Sequence, residues 1–136
     1  MQKIVDINEI KKILKQSVSI AIVGLSPKED RPSNLVGRYL IDAGYTIIPV
    51  NPGHNEILGQ KCYPSLTAIN QKVDIVDIFR KSEDVLPIVE EAISIGAKII
   101  WMQLGIVNHQ AAARAKESGL VVIMDRCLKI DHNNLL

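Results

Sequence analysis

Hydrophobic positions along the chain fall into two alternating patterns. Ile20 to Val23, Thr46 to Val50, Val73 to Ile78, Lys98 to Met102 and Val121 to Met124 are short runs dominated by Ile and Val. Their near-continuous apolar character predicts strands buried on both faces. Between them lie segments with helical spacing. Leu35, Val36, Tyr39, Leu40 and Ala43 form one stripe, closed by Gly44. Val85, Leu86, Val89, Ala92 and Ile93 form another between Ser82 and Gly96, and Ala111 to Glu117 lie between Asn108 and Gly119. A Ser or Asn ahead and a Gly behind are the physical start and stop marks of helices. Residues 51–64, rich in Pro, Gly and Asn, break the rhythm, and Ser65 is expected to cap only a short helix through Asn70. Ahead of the first run, Ile7, Ile10, Ile13 and Leu14 line one side of a lysine-flanked stretch, which predicts an amphipathic helix packed on the domain.

Five parallel strands joined mostly by helices give an α/β, doubly wound five-stranded sheet, since right-handed crossovers leave few other topologies. The 136 residues suit one domain, with its core at about 17–132 and no linker or internal repeat. A chain of this mass buries roughly two-thirds of its surface on folding, so no disulfide or metal is required. Cys62 and Cys127 lack C-x-x-C spacing, and His54, His109 and His132 fall in different segments, so no metal site is expected. A net charge of +1 and an aromatic content of 4% argue against nucleic acid as a partner. No apolar run approaches the about 20 residues of a membrane span, and the first residues do not read as a secretory signal. A cytoplasmic protein is the expectation.

Sheets of this kind bind ligands beyond the carboxyl ends of their strands, where strand order reverses. The first such loop reads Gly24-Leu25-Ser26-Pro27-Lys28-Glu29-Asp30-Arg31-Pro32-Ser33. Gly24 permits a sharp turn and close approach by a ligand. Ser26 adds a hydroxyl, Lys28 and Arg31 add cations, and Pro32-Ser33 opens a helix whose free N–H groups favour phosphate or pyrophosphate. The alternative is a mobile charged loop with a capping Ser. The second strand ends Asn51-Pro52-Gly53-His54, where His54 offers a donor or cation, and Phe79-Arg80-Lys81 extends an anion-friendly rim. Gln103-Leu104-Gly105 supplies an amide and a close backbone approach for a ligand's polar arm.

Departures narrow the ligand. Neither G-x-G-x-x-G nor the Walker pattern is present. No acid follows Val50 until Glu56, which counts against ribose recognition of the NAD type. Cys127 beside Arg126 is a weak candidate nucleophile, with no base adjacent in sequence. A contact of Asp125 with Arg126 or Lys129 is the expected role of that segment. Asp74 and Asp77 lie within the third strand rather than at its end, so no phosphorylated acid cluster is read there.

Several stretches in order carry a resemblance: Ala21-Ile22-Val23-Gly24-Leu25-Ser26, Ile48-Pro49-Val50-Asn51-Pro52, residues 58–66, residues 73–80, residues 100–106 and residues 124–130. Together they resemble the small stand-alone CoA-binding proteins and, more remotely, the CoA-binding domain of the succinyl-CoA synthetase alpha subunit. The resemblance implies a Rossmann-like fold that binds coenzyme A or an acyl-CoA. By position, Gly24, Leu25, Ser26 and Pro27 match the synthetase's first CoA-contacting loop. His54 falls where the synthetase has a phosphate-binding Lys, and Gln103 to Gly105 match the stretch lying along the cofactor. The synthetase's phosphorylated His belongs to a second domain that this chain has no residues to build. The expectation is a non-catalytic CoA module acting as sensor, carrier or regulatory subunit, with phosphates among Ser26, Lys28, Arg31, His54 and Arg80. The alternative is a small enzyme, either NAD(P)-dependent or using Cys127 for acyl transfer. A homodimer or a further protein partner stays open.

Overall fold

The computed structural model describes residues 6–136. Helix α1 (Ile7–Gln16) starts at Asp6, whose side chain accepts from the Asn8 N–H, and buries Ile10 and Leu14. Strand β1 (Ser19–Val23) leads into α2 (Pro32–Asp42) and β2 (Thr46–Val50). A small antiparallel hairpin, β3 (Glu56–Ile57) and β4 (Gln60–Lys61), precedes β5 (Ile75–Ile78) and α3 (Val85–Ser94). Then come β6 (Ile99–Met102), α4 (His109–Glu117), β7 (Val121–Ile123) and α5 (Leu128–Leu135). The five long strands form one parallel sheet in the order β2-β1-β5-β6-β7.

Alternation along each strand feeds two cores. Ala21, Val23, Val76, Ile78, Ile100 and Met102 pack under α3 and α4, which contribute Val85, Val89, Ala111 and Ala115. Ile20, Ile22, Ile75 and Trp101 pack on the other face with Ile10, Leu14, Val36, Leu40 and Leu128 from α1, α2 and α5. Strands flanked by neighbours and covered on both faces have no solvent side, which is why their sequences show no polar alternation.

One polar residue breaks this pattern. Asp77 sits mid-strand on the α2/α5 face, in register with Ile22 and Trp101, and is fully buried. Neither of its carboxyl oxygens has a hydrogen-bond partner. Burial pushes its carboxyl well above the ordinary range. Asp74, at the opposite edge of the sheet from the ligand-binding edge, is its counterpart. It accepts from the Val18 and Ser19 N–H groups at 2.8 and 3.1 Å. Burial pushes that carboxyl up, but these two donors, with Lys72 and Lys98, outweigh it and leave it below the usual value.

Three local features differ from the expectations. Residues 65–70 form a single 3-10 turn, Leu66–Ala68, and Ser65 does not cap it; its hydroxyl pairs with Thr67 instead. The hairpin takes the place of a crossover helix. Its turn puts both Leu58 and Gly59 at positive φ (55° and 72°), the combination a two-residue loop needs to match strand twist. Leu at the first of these positions hides the usual Asn-Gly or Asp-Gly signal. Finally, α5 follows the last strand, where the sequence pattern predicts a loop.

Candidate functional site

In the observed order, β1 is followed in sequence by its neighbour on one side and β5 lies on its other side, so strand order reverses between β1 and β5. The carboxyl ends of those two strands define the crevice that doubly wound folds use for ligands. Gly24 and Phe79 meet there. Gly24 has φ +90°, and a Cβ built on it would lie 2.5 Å from the Phe79 carbonyl oxygen and 3.3 Å from Arg80 Nε. Only glycine satisfies both the backbone angle and the spacing.

The loop that follows is held by side chains reaching its backbone. The Ser26 N–H donates to Ser33 Oγ at 3.0 Å, and Asn34 Nδ2 donates to the Ser26 carbonyl at 2.9 Å. The Lys28 N–H donates to Ser26 Oγ, and Asn51 Nδ2 donates to the Leu25 carbonyl at 2.9 Å. Arg38 braces the helix side of the loop, donating to Asn34 Oδ1 and to the Glu29 carbonyl. Ser33 therefore acts as a loop brace. The N-cap position of α2 is Arg31, with Pro32 at the first helical position and no side-chain cap. Pro32 has no N–H and the Asn34 and Leu35 N–H groups donate to the Arg31 carbonyl, so the Ser33 N–H is the donor this first turn leaves for an external acceptor.

These elements enclose a polar cavity of about 510 Å³. Gly24, Ser26, Pro27, Lys28 and Arg31 line it from the loop, Asn51 and His54 from the end of β2, and Phe79 and Arg80 from the end of β5. Among the described residues the ion pairs are Lys72–Asp74, Arg114–Glu90 and Arg126–Asp131, so Lys28, Arg31 and Arg80 bring their charge to the cavity uncommitted. Two expected residues sit differently from the rest. Leu25 is fully buried in the α2/α5 core and offers only backbone, and Pro52 faces a smaller cavity on the α3 side beside Ser65 and Arg80.

A second cavity, of about 570 Å³, opens beside the first and shares Pro32, Phe79 and Arg80 with it. It runs between α2 and the start of α5, with Gln103 beneath. Gln103 is buried, and its side-chain oxygen accepts from the Leu128 N–H at 3.4 Å, which leaves its NH₂ as the group it offers to the cavity. Gly105 stands outside this lining, between Leu104 and Ile106, which belong to it. The Gly105 N–H donates to Asp125 Oδ1 at 2.7 Å. Asp125 therefore ties two strand-end loops together from a positive-φ position (60°) instead of pairing with Arg126 or Lys129. Arg126 pairs with Asp131 through two 2.8 Å bonds, and its carbonyl accepts from the Trp101 indole. These contacts seat α5 against the sheet edge and place Cys127 in the second cavity. Of the titratable groups that follow Cys127 on α5, Asp131 is engaged by Arg126, His132 by Tyr39, and the Lys129 ammonium lies over the Tyr39 ring.

A family model described as a CoA binding domain matches residues 18–133. The chain belongs to the CoA-binding domain family. The Bacillus subtilis protein YneT is 48% identical over 124 residues, covering 91% of this chain and 92% of that one. The ADP-forming acetate–CoA ligase I of Archaeoglobus fulgidus is 29% identical over 119 residues, covering 80% of this chain but only 17% of the ligase. A solved Pyrococcus horikoshii protein superimposes with a TM-score of 0.94 at 39% identity, covering 99% of each chain. The apo acetyl-coenzyme A synthetase 1 of Ca. Korarchaeum cryptofilum gives a TM-score of 0.69 at 26% identity, with 76% of this chain and 25% of the synthetase covered. The CoA-binding domain thus occurs both as a small stand-alone chain and as a part of larger ligases. Among the described residues no helix is long and apolar enough to cross a membrane.

Sequence reasoning found the cations and Gly24 but missed the residues that hold the loop. Ser33 reads as a helix-start residue, and nothing in the spacing announces that it and Asn34 reach back to Ser26. Leu35, Leu104 and Ile130, which line the second cavity, belong to three distant segments and share no motif.

Proposed function

We propose that this CoA-binding domain holds coenzyme A or an acyl-CoA at the carboxyl edge of its sheet without catalysing a reaction on it, as a sensor, carrier or regulatory module. One observation carries the reading: at the strand-order reversal, an uncapped helix start and the uncommitted side chains of Lys28, Arg31 and Arg80 converge on one polar cavity. Its ligand is therefore multiply anionic. Coenzyme A matches this with three phosphates at one end, a neutral pantetheine arm and a thiol at the other.

In this arrangement the phosphates take the Ser26 hydroxyl, the loop cations and Arg80, with His54 at the outer rim. The pantetheine arm then crosses Phe79 toward Gln103, whose NH₂ meets an amide carbonyl. Each charge-assisted bond contributes roughly 1.5–3 kcal/mol, so two or three suffice for micromolar affinity.

Thermal denaturation with CoA, acetyl-CoA, NAD and ATP tests the reading. CoA at a hundred times its Kd adds about 2.7 kcal/mol of stability, while NAD and ATP leave the midpoint unchanged. Equal shifts for CoA and ATP would reduce the site to a general nucleotide cradle, and a shift with NAD alone would reinstate the oxidoreductase alternative.

A further inference from the structure

Large hydrophobic side chains exposed to solvent are few in this protein, and they are not scattered evenly. Among the described residues there are eight, and three of them, Leu35 (44% exposed), Leu104 (63%) and Ile130 (51%), line the second cavity. They come from α2, the loop after β6, and α5. Chance exposure of single apolar residues needs no explanation, but their convergence on one concave site does.

The rest of that lining has the same character. Val36, Ile106 and Cys127 join the three, and beyond the residues shared with the polar cavity only Gln103 and Lys129 are polar. Lys129 directs its ammonium over the Tyr39 ring, 5.7 Å from the centroid, so its aliphatic stem serves the groove while its charge lies elsewhere. A volume of about 570 Å³ falls within the 300–1,000 Å³ typical of small-molecule sites. Pro32, Phe79 and Arg80 wall both cavities, so a ligand anchored by phosphate in the first has a direct path into the second.

We infer that the groove between α2 and α5 receives the acyl group of a CoA thioester, and that the preferred ligands carry an uncharged hydrocarbon acyl chain of about four to eight carbons rather than acetyl or a dicarboxylic acyl group. This rests on the CoA reading above and adds the part of the ligand that reading leaves open. Free CoA ends in a thiol and leaves Leu35, Leu104 and Ile130 in water. An apolar acyl group covers them. Each methylene that leaves water contributes roughly 0.8 kcal/mol, which is about a fourfold gain in affinity.

Calorimetric titration of CoA and its acetyl, butyryl, hexanoyl and succinyl thioesters tests this, on the natural protein and on a Leu104→Ser/Ile130→Ser double variant. Both changes replace exposed side chains, and a melting curve confirms that the variant is folded. The natural protein is expected to bind hexanoyl-CoA at least tenfold tighter than acetyl-CoA, with butyryl-CoA between them and succinyl-CoA no tighter than acetyl-CoA. The variant should keep its CoA affinity within twofold and lose the chain-length gradient. CoA binding with acetyl and hexanoyl thioesters within threefold of each other overturns the acyl assignment and leaves the CoA reading standing. Tightest binding of succinyl-CoA overturns it in favour of an acidic acyl group. A dimer in sedimentation that the double variant dissolves overturns it as well, because the groove then belongs to a second copy of the chain. No heat with any thioester or with CoA removes the underlying reading and this inference with it.

Discussion

The polar and apolar cavities share three wall residues and lie on one edge of one sheet, yet the chain builds them by different means. The polar cavity draws chiefly on one loop, residues 24–33, with short contributions from the ends of β2 and β5. Its frame is a set of side-chain-to-backbone bonds from Ser33, Asn34 and Asn51. The apolar cavity has no such frame. Its walls are packed elements, α2 on one side and α5 on the other, and its shape depends on how Arg126, Asp131 and Gln103 seat α5. One region is specified locally and the other by topology. A local site fails through its loop; a topological site fails through the elements that meet there.

Gly24→Val strikes hardest. The new side chain requires a strained φ and a Cβ 2.5 Å from a carbonyl oxygen, so the β1 and β5 ends must separate. Loss of detectable CoA binding and destabilisation by about 2–3 kcal/mol are expected in urea melts and titrations, the strain of one such backbone site being about 1–3 kcal/mol. A variant that binds CoA normally would break the claim that the two strand ends must touch.

Arg80→Ala acts on both cavities at once, because Arg80 walls each of them. CoA affinity should fall roughly tenfold to a hundredfold, the equivalent of about 1.5–3 kcal/mol, with stability unchanged. Lys28→Ala and Arg31→Ala sharpen the comparison: whichever side chain holds the ribose phosphate weakens CoA more than dephospho-CoA, and an equal loss moves its contact to the pyrophosphate.

Asp77→Leu tests the core beneath the apolar region. The carboxyl is buried with both oxygens unpartnered, so its removal should raise stability at pH 7 by about 1–3 kcal/mol. The sign with pH follows from the raised carboxyl. A group that holds its proton more tightly when folded costs stability as pH climbs above the unfolded value of about 3.9. The variant's advantage should therefore grow between pH 4 and 7 and be smallest below pH 4. An advantage that is flat in pH would mean Asp77 titrates normally.

Ser33→Ala gives the smallest change. It removes one bond to the Ser26 N–H, which costs roughly 0.5–1.5 kcal/mol, and should loosen CoA severalfold. An unchanged Kd would show that the loop holds its shape without this brace.

The same contrast accounts for what the sequence disclosed. The strands, the three crossover helices and the cation-bearing first loop follow from periodicity, glycine stops and local charge; Asn108 caps α4 as expected, whereas Ser82 opens a 3-10 turn and α3 starts behind it with no side-chain cap. The Leu58-Gly59 hairpin escaped notice because a leucine occupies a position that usually shows Asn or Asp. Helix α5 escaped because its eight residues, with an Asp-His-Asn-Asn segment, show little apolar periodicity; its place is fixed by the Arg126–Asp131 pair and the Trp101 indole. With α5 unseen, the apolar cavity could not be anticipated, since one of its walls was missing. For Asp77 the sequence shows only a place within a strand; its face and its lack of partners are properties of the packing.

The central claim is that the polar cavity grips the phosphate end of coenzyme A. Calorimetric titration with CoA and with pantetheine, at low and at moderate salt, tests it most directly. CoA should bind at micromolar Kd and weaken as salt screens the loop cations, while pantetheine gives no measurable heat. Pantetheine binding as tightly as CoA, or CoA affinity indifferent to salt, would contradict it.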